Sequence, residues 1–130
     1  DIIPLRWLKM SSNYSYQNLN NDYTVLKTQY PPKHKANLKL FFNLPRGLSV
    51  SFLTSYIDKI NWEIPTPLGD YAETITDAHT RCDGKIGYLL EKKRIEFFIS
   101  VYNLFDSKDK EYPFAEEIRR RVIGGFNYSF

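Results

Sequence analysis

Apolar and polar residues alternate along six windows of the chain. The alternation is clearest in residues 36–44 and 94–102, where every second side chain is aliphatic or aromatic. Successive side chains of a strand point to opposite faces, so each window predicts a β-strand with one apolar and one mostly polar face. Weaker alternation predicts four more strands, at residues 8–16, 48–56, 78–90 and 121–130. No window favours a helix, and the sequence therefore predicts an all-β chain.

The links between the predicted strands alternate between short and long. Residues 45–47 (Pro-Arg-Gly) and 91–93 (Glu-Lys-Lys) form links of hairpin length, and the first contains turn residues. The other three links are long, at roughly residues 18–35, 58–77 and 103–119. Each antiparallel strand returns the chain to the opposite end of the sheet. We therefore expect both short turns at one end and all the long loops at the other.

This segregation of loop length is typical of bacterial outer-membrane barrels, whose periplasmic turns are short and whose extracellular loops are long. Strand length points the same way. A tilted membrane strand needs about 9–11 residues, whereas strands of soluble proteins are most often about 5–6 residues long. The sequence therefore favours an antiparallel up-and-down meander of about six long strands, as a section of a transmembrane β-barrel.

Aromatic residues form 16% of the chain, with 10 Tyr, 9 Phe and 2 Trp. Membrane barrels carry aromatic girdles at the borders of their apolar band, and four residues of the apolar face fit that position: Tyr14, Tyr16, Tyr56 and Tyr88. The sequence contains no run of about 18 apolar residues that would predict a transmembrane helix. The net charge of +3 is compatible with a nucleic-acid or anionic-membrane partner but requires neither.

Three short motifs carry a resemblance to a known family. Residues 103–106 (Asn-Leu-Phe-Asp) follow an alternating strand, and residues 126–130 (Phe-Asn-Tyr-Ser-Phe) end the last one. Residues 32–35 (Pro-Lys-His-Lys) lead into the second strand. In their order along the chain, the three motifs resemble the C-terminal part of TonB-dependent outer-membrane receptors, and the likeness extends over essentially the whole chain.

The resemblance implies a ligand-gated importer in the bacterial outer membrane, with a barrel of about 22 strands and a plug in its lumen. Six strands cannot form that barrel, so residues 1–130 would be the C-terminal segment of a receptor, and the signal peptide would lie far upstream of Asp1. The parent would import a scarce nutrient, such as an iron–siderophore, another metal chelate or a vitamin. Its partners would be membrane lipid, the remaining barrel and the plug, with no cofactor and no nucleic acid.

The terminal aromatic residues have a second role in that family. The resemblance implies that Phe130, supported by Phe126 and Tyr128 on the same face, belongs to the signal read by the outer-membrane assembly machinery. An extended aromatic end can add to a sheet edge and fill pockets at alternate positions. A lipid-facing girdle is the simpler interpretation, and the two roles are compatible.

Two groups of side chains are candidates for a ligand path. The polar face of the fourth strand would face a wet lumen and presents His79, Arg81, Asp83 and Lys85. Such residues more often pair with one another or contact the plug than bind a ligand. The long loops contain Tyr23, Tyr30, Trp62, Tyr71 and Tyr112. Loop aromatics suit capture of a chelate, and they equally suit packing of the loops on one another.

Catalytic chemistry finds little support in the sequence. His34 and His79 are the only histidines, and neither has a spaced carboxylate or Cys partner that would predict a metal site. The single cysteine, Cys82, falls on the apolar face, where packing is the expected role. We therefore do not expect an enzyme. The alternative to the barrel segment is a soluble all-β domain that binds a ligand or a partner strand.

Overall fold

The computed structural model describes residues 2–18, 29–90, 94–108 and 110–129. This part of the chain is all-β, as predicted, and contains no α-helix. Its strands are β1 (Ile2–Leu5), β2 (Leu8–Tyr16), β3 (Gln29–Tyr30), β4 (His34–Asn43), β5 (Leu48–Ile57), β6 (Ile60–Pro65), β7 (Tyr71–Thr76), β8 (His79–Leu90), β9 (Ile95–Tyr102) and β10 (Arg121–Tyr128).

The main sheet is an up-and-down antiparallel meander in the order β1-β2-β4-β5-β8-β9-β10. Its six long strands, β2, β4, β5, β8, β9 and β10, are those that the alternation predicts, with ends that agree within two residues. They contain 8–12 residues each. The short strand β1 adds to β2 and was not predicted.

A second, three-stranded sheet has the order β3-β6-β7 and lies in segments that the sequence analysis treated only as long links. Strands β6 and β7 form a hairpin in which Trp62 is opposite Thr74. Its turn is closed by a 2.7 Å hydrogen bond from the Thr66 N–H to the Asp70 carbonyl. Two of the three long links therefore contain regular structure of their own.

The turn between β4 and β5 is tight, as predicted. Arg46 and Gly47 both have positive φ, at 66° and 81°, and the Leu44 N–H donates to the Leu48 carbonyl at 2.8 Å. A Cβ atom on Gly47 would collide with the Leu89 carbonyl oxygen. That contact places this turn beside the end of β8, so it lies at the end of the sheet where Leu90 pairs with Ile95. The residues of the second link, 91–93, lie outside the described residues.

The register assigns the side chains to two contrasting faces, because residues directly opposite each other in a ladder point to the same side. We define the apolar face by its two central rows: Leu8, Phe42, Val50, Ile86, Ile99 and Gly124, then Met10, Leu40, Phe52, Gly84, Val101 and Val122. The polar face alternates with it. One of its rows contains Lys9, Phe41, Ser51, Lys85, Ser100 and Ile123.

Neither face is covered. Among the described residues, Ile60 and Pro32 are the only apolar side chains that are buried. The accessible surface is 10300 Å², whereas a folded monomer of this mass is expected to expose about 7,200 Å². The sheet thus encloses no hydrophobic core in the described part, and its apolar face is open. No helix in the described part is long and apolar enough to cross a membrane.

Candidate functional site

Aromatic residues border the apolar face at both ends. At the end that carries the long links, which we call the loop end, Tyr14 and Tyr56 share a row with Thr80. At the turn end, Tyr88 and Phe97 are paired and lie in the row of Phe126. The nine residues from Thr80 to Tyr88 in β8 span about 27 Å at the strand rise. All four residues predicted for a girdle lie on this face, with Tyr88 at the end opposite to the other three.

His34 completes the border at the loop end. Its Nδ1 is 2.7 Å from the Tyr14 hydroxyl, and the two atoms form a hydrogen bond. The Tyr16 ring lies across the strand pair from His34, with 5.1 Å between ring centroids. The motif at residues 32–35 therefore places an imidazole among tyrosines at the edge of the apolar face. The sequence analysis used this motif only for its resemblance and did not predict the contact.

The terminal aromatic residues lie partly within the described part. Phe126 and Tyr128 are on the apolar face, with exposed fractions of 68% and 56%. The Phe126 ring contacts Phe97 at 6.4 Å between centroids. Phe130 lies outside the described residues. The shared face of Phe126 and Tyr128 is as predicted, and their part in an assembly signal remains a prediction.

The predicted ligand-path residues of β8 share the polar face. His79 is nearest the loop end, and its Nδ1–H donates to the Asp77 carbonyl at 3.3 Å. Arg81 forms an ion pair with Glu111 in the long link after β9, with 3.8 Å between Nη1 and Oε1. This pair connects that link to the polar face.

Asp83 and Lys85 are the other two members of the set. The Asp83 carboxylate accepts a 2.9 Å hydrogen bond from the backbone N–H of Asn103. Lys85 contacts Glu96 at 3.4 Å and lies 4.6 Å from the centroid of the Phe98 ring. These residues thus share a face as predicted, but their partners are on other elements and they do not pair with one another.

Asn103 is the most deeply buried side chain of the described part, with 1% of its surface exposed. Its Nδ2 donates to the carbonyls of Ser107 and Ile118, both at 2.8 Å. Its Oδ1 accepts from the Ser107 N–H at 3.1 Å and from the Ser107 hydroxyl at 2.9 Å. Because an amide has two donor hydrogens and one oxygen with two lone pairs, every hydrogen-bonding position is used. Asn103 therefore closes the two ends of the link onto each other.

Asp106 makes a second closure in the same motif. Its Oδ1 accepts a 2.8 Å hydrogen bond from the Arg120 N–H, and its Oδ2 is 3.8 Å from the Arg119 guanidinium. The hydrogen bond from Arg120 is the main cause that lowers the pKa of the Asp106 carboxyl, and the charge of Arg119 adds to it. Asn103 and Asp106 both have positive φ, at 53° and 54°, a conformation that Asn and Asp adopt more readily than most residues. That preference is the one feature of the sequence from which the role of these two residues in closing the link could have been predicted.

The loop aromatics are placed only in part. Trp62 is half-buried on β6, and its Nε1–H donates to the Thr76 hydroxyl at 2.9 Å, which ties β6 to β7. Tyr112 has an exposed fraction of 52%. The backbones of Tyr30 and Tyr71 lie in β3 and β7, outside the part whose side chains are described, and Tyr23 lies outside the described residues.

A cleft of about 390 Å³ opens at the loop end, between the β7–β8 segment and the link after β9. We call it the loop-end cleft and define it by Thr76, Asp77, His79, Lys108 and Lys110. The described residues contain no group of three or more His, Cys, Asp or Glu that could hold a metal ion. The cleft lining contains the ammonium groups of two lysines, the imidazole of His79, the carboxylate of Asp77 and the hydroxyl of Thr76.

No family model, no curated protein and no solved structure matches this chain. What the chain does must therefore be inferred from its two faces, its links and the loop-end cleft.

Proposed function

We propose that this chain is a section of the wall of an outer-membrane β-barrel, the C-terminal part of a receptor of the TonB-dependent type. The apolar face contacts lipid and the polar face borders a wet lumen. The long links lie on the outer side of the membrane, where the receptor binds a scarce nutrient such as a metal chelate or a vitamin. In this account the chain performs no catalysis and supplies wall and loops.

The open apolar face is the observation that supports this proposal most strongly. Four of its central side chains have exposed fractions of 42–62%: Phe52, Ile86, Ile99 and Val122. Burying a side chain of this size is worth about 2 kcal/mol, so covering what each exposes is worth about 1 kcal/mol. The four together approach the total stability of a marginal domain, about 5 kcal/mol. A lipid environment removes this cost without any further protein layer.

The borders of the apolar face support the same assignment. The band between the aromatic rows is about 27 Å long along β8, and strands in membrane barrels are tilted by about 35–45°. A tilt in that range reduces the height of the band to about 20 Å, which approaches the apolar belt of about 25 Å in such barrels. Tyrosine suits each border, because its ring is apolar and its hydroxyl is polar.

Membrane fractionation with paired arginine variants tests the proposal. Ile86 and Ile99 are opposite each other on the apolar face, and the variant Ile86→Arg/Ile99→Arg places two charges there. Ser51 and Ser100 flank Lys85 in a row of the polar face, and Ser51→Arg/Ser100→Arg adds the same two charges on that side. Each arginine costs about 2–4 kcal/mol at the lipid midplane and little on the lumen side.

The unsubstituted protein and the serine pair should be found in the outer membrane and should resist extraction at alkaline pH. The isoleucine pair should be lost from that fraction. If the unsubstituted protein is recovered in the aqueous fraction as a monomer, the wall assignment is wrong, and a soluble all-β binding domain becomes the better interpretation.

A further inference from the structure

We propose that the loop-end cleft binds a small anion that carries carboxylate or phosphate groups. This proposal adds the charge of the transported ligand to the proposed receptor function. It rests on that function only for the direction in which the ligand passes through the barrel. The binding itself depends only on the cleft and its surroundings.

The size and chemistry of the cleft suit such a ligand. Its volume of about 390 Å³ falls within the range of small-molecule sites, about 300–1,000 Å³. Thr76 and His79 contribute to one side, and Lys108 and Lys110 come from the link after β9. An ammonium group on a flexible stem donates charge-assisted hydrogen bonds to carboxylate or phosphate oxygens.

The carboxylates near the cleft are mostly engaged elsewhere. Glu111 pairs with Arg81 at 3.8 Å, and Asp106 accepts from the Arg120 N–H at 2.8 Å. Among the described residues, neither Lys108 nor Lys110 is within 4.0 Å of a carboxylate oxygen. Lys108 is close enough to Asp106 to contribute to its lowered pKa. The carboxylates of the described residues therefore leave both ammonium groups available to an incoming anion.

One carboxylate remains among the described lining residues, at Asp77. The backbone carbonyl of this residue accepts from His79 at 3.3 Å. Two lysines against one aspartate leave a positive balance in the described lining. An anion is attracted by that balance, whereas a cation of the same size is repelled.

The polar face continues the positive charge beyond the cleft. His79 shares a row with Ile57 and Lys35, so the cleft lies at the loop end of this face. The strands place six cationic side chains on the face: Lys9, Lys35, Lys39, Arg81, Lys85 and Arg121. The two carboxylates on the same strands and face, Asp83 and Glu96, are both hydrogen-bonded. An anion that leaves the cleft along this face would meet further basic side chains.

Calorimetric titration with pyrophosphate tests the inference on the purified protein in detergent without lipid. The variant Lys108→Gln/Lys110→Gln removes two charges from the cleft and should weaken pyrophosphate binding at least tenfold. The control Arg46→Gln/Arg94→Gln removes two charges at the turn end and should bind like the unsubstituted protein. Both pairs are exposed to solvent, and circular dichroism should show the same strand content in all three proteins.

Two further comparisons show whether the anion comes from a lipid headgroup and which of the two proposals fails. Binding that occurs only after anionic lipid is added would overturn the inference, because the group recognised would then be a headgroup. Equal binding by both variants, or none by the unsubstituted protein, would also overturn it. If the protein fractionates with the outer membrane but binds no pyrophosphate, the wall assignment stands and the anion site is wrong. If it binds pyrophosphate but is found in the aqueous fraction, the anion site stands and the wall assignment is wrong.

Discussion

The backbone N–H of Asn103 donates to the carboxylate of Asp83 at 2.9 Å, from the end of β9 to the middle of β8. A neighbouring 2.7 Å hydrogen bond, from the Leu104 N–H to the Cys82 carbonyl, repeats the connection. The link between β9 and β10 is thereby anchored on β8 at its first two residues. Since the same link carries Lys108 and Lys110, this anchor positions one side of the loop-end cleft.

Replacing Asn103 should loosen that link. Asn103→Ala removes four side-chain hydrogen bonds at a position with 1% exposure. It removes the hydrogen bonds that Asn103 makes to part-buried groups of Ser107 and Ile118, so we expect the free energy of unfolding to fall by about 2–3 kcal/mol. Denaturant titration in detergent measures it. The matched control is Asn127→Ala, which breaks one exposed bond to Glu96 and should cost less than about 1 kcal/mol. Equal losses in the two variants would contradict the role of Asn103.

Substituting two glycines with positive φ distinguishes the cost of backbone strain from the cost of a steric collision. Gly47 and Gly69 have φ of 81° and 87°, but only a Cβ on Gly47 meets another atom, the Leu89 carbonyl oxygen. Gly69→Ala should therefore cost only the strain of a left-handed backbone, about 1 kcal/mol. Gly47→Ala should cost more, because the turn must also move away from β8. Thermal unfolding of the two variants measures the difference, and equal shifts would show that the turns are not packed as described.

The hydrogen bond from the Arg120 N–H to the Asp106 carboxylate, which closes the link after β9, should depend on pH. Its pKa is lower in the folded chain than in the unfolded chain, mainly because of the Arg120 N–H. The stabilisation is therefore fully present above the pKa of an unfolded aspartate, about 3.9, and is lost as the pH falls through the lower folded value. Hydrogen exchange at the Arg120 amide, corrected for intrinsic rates, should accelerate below about pH 4.

The control for this titration is Asp106→Asn. The amide oxygen still accepts the Arg120 N–H, and Asn tolerates positive φ, but the side chain has no charge to lose. The variant should show no acceleration below that pH. If the variant and the unsubstituted protein respond alike, another group controls the opening.

The bond between Trp62 and Thr76 should stabilise the small sheet. Trp62→Phe leaves the hydroxyl of Thr76, a residue that is 6% exposed, without its donor. We expect a loss of about 1 kcal/mol in the free energy of unfolding. Adding Thr76→Val to this variant should restore part of the loss, since the orphaned hydroxyl is then absent. A double-mutant cycle with no coupling would show that the bond does not form.

The six long strands could be predicted because the pleat forces a period of two on any strand with one apolar face. Residues 95, 97, 99 and 101 show that period over most of β9. Strand β6 also alternates, through Ile60, Trp62 and Ile64, but over too few positions to be distinguished from a loop. Its pairing with β3 and β7 depends on contacts between distant segments, which periodicity does not report.

For the candidate site, the sequence predicted which strand residues share a face but not the partners that they contact. The alternation correctly placed His79, Arg81, Asp83 and Lys85 on one face. Their partners could not be predicted, because Glu111 reaches Arg81 only through the path of a link that has no periodic pattern. The loop-end cleft has the same origin, since Lys108 and His79 are 29 positions apart in the sequence.

The claim that the apolar face contacts lipid is tested most directly by comparing two neighbouring residues of β9. Ile99 and Ser100 lie on opposite faces, and Cys82 is the single cysteine, so Cys82→Ser provides a cysteine-free background. Ile99→Cys and Ser100→Cys are labelled with the same fluorophore, and the protein is reconstituted in vesicles whose acyl chains carry nitroxide quenchers. A lipid-facing apolar face predicts strong quenching at position 99 and weak quenching at position 100. Equal quenching at the two positions, or none at either, would contradict the assignment of this sheet to a membrane wall.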